Sequence, residues 1–572
     1  MAKRDVNIST VCLLDGEKHQ TREHVTGALE EACERGPQDL VALPYMPFLS
    51  FNAERPMAGL RGFARFAKRH GTYVALAMRE EDGDRVYATS VLLDREGEIA
   101  FTARKTHAFP DDDDLVLGDE LEVFETDFGV IGATVTSDIY FPEVYETLWM
   151  KGAEVLLWHA FPERFREHSG WEPVLTARAR DAHSHLVAAM YADPRTYITN
   201  RYEMGMRGAA FGRSMIVNRG GAPIADTGHE DGVASARVDL DKRKDDPYDP
   251  WVQCEPCFYV NCVGDRTAFG PVSEPWEPPD LPTYAKRTAR VAVVYLNPSH
   301  MWRTGERPAK MLELIEKAGG ASPDLILVSE NSADIENDDI GRDAGAKVAE
   351  LAREMGAYIV VGGLRGEESI SLAYVWNRQG EVIHKTSIYW TKGFPEITVF
   401  DTDFGRIGIH ECGDLYTPMI DRTLALKGAE IILDPSQMWG ASGRHNETLL
   451  RARALDNGVW VACAHWNSSD AGLRSVIVDP YGQVMASSVF QQEGVIHVDI
   501  NFDDQRVYYE GNKAVQPTQG TEGIGTYLAD DCPEQKAGWR EMMLGRRRPE
   551  LYGIIPTVND VIMKYRPERG PW

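Results

Sequence analysis

Short apolar runs alternate with amphipathic stretches along the chain. VNISTVCLL (from Val6) and ARVAVVYL (from Ala289) are brief, β-branched and apolar, the signature of buried strands. Each is followed by a helical pattern: TREHVTGALEEACERG from Thr21, and PAKMLELIEKAGG from Pro308. The next apolar runs, DLVALP from Asp39 and DLILVS from Asp324, predict further strands. Such alternation predicts an α/β architecture in which helices cover a sheet. The turn signals DREGE (from Asp94) and NRQGE (from Asn377) add hairpins, and hence mixed sheets with some antiparallel pairing.

The same pattern is written twice. FETDFGVIGATVTSDIYFPEVYETLWMKGAEVLL, from Phe124, aligns without a gap on FDTDFGRIGIHECGDLYTPMIDRTLALKGAEIIL, from Phe400. Further pairs are collinear: QDLVALPYMPF with PDLILVSENSA, and LTARARDAHSHLVAAM with LRARALDNGVWVACAH. The offset between copies (Phe124 to Phe400, Gln38 to Pro323) is the size of a domain, so a tandem duplication is expected rather than a solenoid. The Pro-rich stretch FGPVSEPWEPPDLPTYAKR reads as a linker. The expected organisation is a first domain at 1–268, a linker at 269–287 and a second domain at 288–572.

Composition narrows the partners. At 572 residues and 43% hydrophobic content the chain can build more than one substantial core. Its net charge of −27 disfavours nucleic acid or an acidic membrane surface, so neither is an expected partner. MAKRDVNISTVCLLDG lacks the long apolar region of a signal peptide, and eight scattered cysteines fit a reducing cytoplasm. Cys254, Cys257 and Cys262 lack an evident fourth ligand and read as packing cysteines. The acidic run Asp111 to Asp114 reads as a solvated loop, and Arg546 to Arg548 as surface or interface arginines.

Chemistry-bearing residues fall at ordered places. Glu330 follows DLILVS, Lys385 lies in HKTSIYW, and Cys412 follows the predicted strand RIGIH. With RARALDN after them and LGRRRPELYGIIP closing the chain, these motifs resemble the carbon–nitrogen hydrolase, or nitrilase, superfamily. The resemblance spans nearly the whole chain, once per half. It implies tandem α-β-β-α sandwich domains with mixed sheets. It also implies Glu330 as base, a lysine as oxyanion stabiliser and Cys412 as nucleophile, with no metal or organic cofactor. The chemistry needs these types: a thiol is mostly protonated at neutral pH, a carboxylate can take its proton, and a fixed cation with a backbone N–H steadies the oxyanion. Gly413 is the expected backbone donor, Asp414 the anchor of the turn, and Trp439 and His410 are candidate substrate contacts.

The lysine register is irregular. Lys105, in RKTHAFP of the first half, lies eight residues after Gly97, whereas Lys385 lies five after Gly380. Strict counting reaches Ile388, with Lys392 just beyond; Lys385 is favoured because KTS parallels KTH, and Lys392 is the alternative. For a second active-site glutamate the sequence offers only Glu396. In the first half Tyr45 and Thr136 stand at the Glu and Cys positions and only Lys105 persists, so that half is expected to be catalytically inactive.

The implied activity is hydrolysis of a small-molecule amide or N-carbamoyl substrate. A nitrile is disfavoured because Gly413-Asp414 stands where nitrilases of the superfamily tend to carry Trp-Glu. The two halves are expected to pair within one chain, with further homo-oligomerisation open. The competing readings are a non-catalytic binding or scaffold protein of the same fold, and an ammonia-supplying or acyl-transferring domain.

Overall fold

The computed structural model describes residues 4–14, 21–34, 36–108, 114–161, 172–192, 212–241, 266–297, 306–333, 339–365, 371–387, 389, 396–437, 446–466, 474–489, 492–503, 507–509 and 536–557. They form two compact units. Unit 1 takes Met1–Arg243, Val507–Gly538 and Arg546–Tyr552; unit 2 takes Lys244–Arg506, Trp539–Gly545 and Gly553–Trp572.

Unit 1 runs β1 (Asp5–Leu14), α1 (Arg22–Glu34), β2 (Leu40–Asn52), α2 (Pro56–His70), β3 (Tyr73–Asp82), β4 (Arg85–Leu93), β5 (Ile99–Arg104), β6 (Val123–Glu125) and β7 (Val130–Val135). It continues with α3 (Pro142–Met150), β8 (Val155–His159), α4 (Glu172–Asp181), β9 (His185–Ala189), β10 (Tyr191–Ala192), β11 (Met215–Val217), β12 (Pro223–Asp226) and β13 (Gly232–Asp239). One sheet has the order β10-β1-β2-β3-β4-β5, with β13 also paired to β1, and the other has β12-β11-β9-β8-β7-β6.

Unit 2 repeats the plan. Its elements are β14 (Thr288–Tyr295), α5 (Arg307–Gly319), β15 (Leu325–Val328), α6 (Asp339–Met355), β16 (Tyr358–Arg365), β17 (Ser371–Trp376), β18 (Val382–Ser387), β19 (Val399–Asp401) and β20 (Arg406–Ile409). Then come α7 (Pro418–Leu426), β21 (Ile431–Ser436), α8 (Asn446–Asn457), β22 (Trp460–His465), β23 (Val476–Val478), β24 (Val484–Ser487) and β25 (Gly494–Asn501). The sheets are β18-β17-β16-β15-β14-β25 and β19-β20-β21-β22-β23-β24, the strand orders of unit 1 without a counterpart of β10. Parallel and antiparallel pairs coexist in each, as the hairpin signals predicted.

Period-two alternation explains why these strands read as continuous apolar runs. Val291 and Val293 of β14 pack with Leu327 and Ile409 in the core between the sheets. Their neighbours Ala292 and Val294 pack with Leu314 and Ile315 of α5. Both faces are buried, so no polar alternation survives. Each unit is therefore an α-β-β-α sandwich.

Among the described residues, 507–509, 536–538 and 546–552 group with unit 1. The Pro-rich stretch is not all linker: Arg266–Ser273 forms a 3-10 helix whose Phe269 and Val272 are buried and which packs against α7. Of the arginines expected at a surface or interface, Arg547 is buried against Glu143 of α3, with Nε 2.6 Å from Oε1. Cys254, Cys257 and Cys262 lie outside the described residues, as do Asp111 to Asp113; Asp114 pairs with Arg79.

Candidate active site

The site of unit 2 forms where β15, β16, β20 and β21 end. β20 runs into a 3-10 turn, Cys412–Tyr416, and Cys412 itself adopts a left-handed backbone, φ 55°. A side chain there costs of order 1–3 kcal/mol unless the surroundings impose it. Here they do. The Cys412 N–H donates to Asp434 Oδ1 at 3.1 Å, and the Glu411 N–H donates to Asp414 Oδ2 at 3.0 Å. The Tyr389 N–H reaches the same carboxylate at 3.0 Å. Gly413 is buried within the turn.

Glu330 follows β15 at a second left-handed residue, Asn331, φ 55°. Its carbonyl accepts the indole N–H of the buried Trp466. Its side chain lies over Gly363, φ 69°, where a Cβ would stand 2.2 Å from Glu330 Cγ. The Gly363 N–H in turn donates to the buried carboxylate of Glu411. Asn331 Nδ2 lies 3.5 Å from Glu330 Oε1 and also donates to the Gln437 side chain.

The two chemical groups meet: the Cys412 thiol donates a hydrogen bond to Glu330. Burial, reinforced by Glu330, pushes the thiol well above the ordinary cysteine range, while the Gln437 backbone N–H works the other way. The resting thiol is thus protonated and seated on its acceptor.

Lys385 does not join them. It is exposed on β18, opposite Tyr374, with Nζ 4.4 Å from that ring's centroid. Tyr374 belongs to the core that faces the helices, so Lys385 stands on the outer face of the sheet. In unit 1 the hairpin register pairs Leu93 with Ile99, and in unit 2 Trp376 with Val382, each after an irregularity. The step from Ile99 to Lys105 therefore leads from Val382 to Ile388. The hydrogen bonds agree: Thr106 and His107 give their N–H groups to Asp138, as Tyr389 does to Asp414. Lys392 and Trp439 lie outside the described residues. Glu396 is 82% exposed and pairs with Lys427. His410 is not an open substrate contact; it is fully buried between Asp421 and Asp434.

The matching place in unit 1 keeps the frame and changes the contents. Thr136 has the same left-handed backbone, φ 47°, and Asp138 accepts the Val135 N–H at 3.1 Å. At the glutamate position β2 does not turn but continues, and Tyr45 packs edge-on against Phe161, 6.0 Å between centroids. Tyr191 closes the cluster by donating its OH to the Tyr45 carbonyl at 2.9 Å. Met78 occupies the position of Gly363. Lys105 is buried just past β5.

Sequence reasoning passed over Gly363, Asn331, Asp434 and Gln437. Only the Gly-Gly pair in VVGGL, against ALAM in the first copy, was a readable signal.

The sequence model of the carbon-nitrogen hydrolase family matches residues 14–248 and again 290–509. The chain belongs to that family, as a tandem pair of its domains. An omega-amidase, NIT2 of Xenopus tropicalis, is 28% identical over 255 residues, covering 40% of this chain and 86% of the relative. The human deaminated glutathione amidase is 28% identical over 216 residues, 34% of this chain and 62% of its own. Among solved structures, Nit3 of Saccharomyces cerevisiae aligns with 41% of this chain and 90% of its own, at 20% identity and TM-score 0.36. Among the described residues no helix is long and apolar enough to cross a membrane.

Proposed function

We propose that unit 2 hydrolyses the amide or N-carbamoyl group of a small molecule through a thioester at Cys412, and that unit 1 is catalytically silent. The observation that carries this reading is the hydrogen bond from the Cys412 thiol to Glu330, in a chain whose other copy has Thr136 and Tyr45 at those places. As sulfur attacks the carbonyl carbon, its proton passes to Glu330, and Glu330 returns it to the departing nitrogen, which leaves as ammonia or an amine. Glu330 then takes a proton from water, whose oxygen attacks the thioester; the acid leaves and the thiol is restored. Gly413 supplies a backbone N–H to the oxyanion. The amidases among the relatives support an amide substrate. Gly413-Asp414 supports amide over nitrile.

The test is ammonia release from a panel of ω-amides, N-carbamoyl compounds and nitriles. Cys412→Ala is expected to abolish turnover, and Glu330→Gln to lower kcat by about 100- to 10,000-fold. Thr136→Ala should leave turnover unchanged. Full activity in Glu330→Gln, or its loss in Thr136→Ala, would overturn the assignment. The competing binding-protein reading is met if every substrate of the panel stays intact while Cys412 labels no faster than Cys463.

A further inference from the structure

Beneath the elbow of unit 2 lies a chain of four buried charged groups that the mechanism above does not use. Asp434, which accepts the Cys412 N–H through Oδ1, has its Oδ2 3.6 Å from His410 Nε2. His410 Nδ1 lies 2.9 Å from Asp421 Oδ1, and Asp421 Oδ2 lies 3.7 Å from Arg453 Nε. Arg453 also donates through Nη2 to the Leu415 carbonyl of the elbow turn, at 2.7 Å. All four are at most 1% exposed.

Unit 1 is an internal control. At the four matching positions it carries Thr134, Tyr145, Trp158 and Arg178. There the contacts are neutral: Thr134 Oγ1 and the Tyr145 OH are 2.7 Å apart, and the Trp158 indole donates to the Thr136 carbonyl at 2.8 Å. The ionic chain accompanies the thiol and is absent where threonine replaces it.

We propose that His410 is a positioning residue, the counter-ion that lets Asp434 anchor the nucleophile's backbone without opposing the thiolate charge that develops on Cys412. This rests on the reading of Cys412 as nucleophile. A carboxylate is a strong acceptor for the N–H of a strained elbow, but an unpaired one beneath the sulfur disfavours a second negative charge. Asp421 and Asp434 balance the cations His410 and Arg453, so the cluster is neutral only while His410 is protonated. Burial opposes that protonation, but the two carboxylates outweigh it and hold His410 well above the usual histidine range. Asp434 also faces the Cys463 thiol of β22, and both Asp434 and His410 act on Asp414 of the elbow.

The experiment is alkylation of the full-length chain by iodoacetamide across pH, with Cys412 followed by peptide mass spectrometry. Asp434→Asn, which keeps the Oδ1 acceptor and removes the charge, is expected to move the labelling midpoint to lower pH. His410→Gln is expected to move it about one unit upward, so labelling below the midpoint slows about tenfold. The double variant should cancel most of the His410→Gln shift. A Cys412 that still labels selectively, with its midpoint unmoved in Asp434→Asn or lowered in His410→Gln, would overturn the proposal. Should His410→Gln fail to fold by circular dichroism, Asp434→Asn decides alone. If wild-type Cys412 labels no faster than Cys463, the nucleophile reading falls, and this inference with it.

Discussion

Glu330 owes its place to a glycine. The left-handed backbone of Gly363 and the 2.2 Å that a Cβ would leave to Glu330 Cγ mean that no other residue fits without moving the carboxylate. The same Cβ would meet the Asn331 backbone nitrogen at 2.2 Å, so the side chain cannot simply rotate away. Gly363→Ala is therefore expected to cost about 1–3 kcal/mol in stability and, by displacing the base, about 100-fold in kcat. Steady-state kinetics beside urea unfolding separate the two effects; unchanged kcat in a folded variant would refute the positioning role. Residue-scale chemistry of this kind was partly legible. Glu330 and Cys412 announced themselves as polar groups at the ends of apolar runs. His410 stood in a similar place and pointed inward to carboxylates from α7 and β21, which no strand pattern of its own can reveal.

At the scale of the element, the register of the β17–β18 hairpin sets the face on which Lys385 stands. Alternation places side chains one residue apart on opposite faces, and an irregularity beside Trp376 shifts the count. KTS and KTH look alike in sequence, yet Lys385 meets the ring of Tyr374 on the outer face while Lys105 is buried. Strand existence was legible because both faces are apolar; register was not, because a bulge leaves no mark in hydrophobicity. Lys392, the alternative the sequence offers, lies outside the described residues, and we propose it as the oxyanion lysine. Lys385→Ala is expected to keep kcat within about threefold of wild type, and Lys392→Ala to lose about 100-fold or more, as for removal of an oxyanion donor. The reverse ranking in an ammonia-release assay would restore Lys385 and contradict the register.

At the scale of the whole molecule, duplication was plain in the sequence, but the route of the chain's end was not. The segment Arg546–Tyr552 belongs to unit 1, and its seat is chemical. Arg547 meets the buried Glu143, Arg548 donates to the Thr106 carbonyl at 3.1 Å, and the Tyr552 OH is hydrogen-bonded to His107. The position in α7 that matches Glu143 is Met419, also buried, which offers no acceptor to an arginine. One substitution between otherwise parallel copies thus gives the arginine its partner in α3. Burying an ion pair gains little over apolar packing, but removing one member strands the other, at about 3–5 kcal/mol. Arg547→Ala is accordingly expected to destabilise unit 1 by that amount, read by urea unfolding. Hydrogen exchange should quicken around His107, Glu143 and Tyr552 first. A loss below about 1 kcal/mol, the range of an exposed pair, would show that Glu143 finds solvent or another partner once the guanidinium is gone, and that packing of Tyr552 on His107 holds the segment instead.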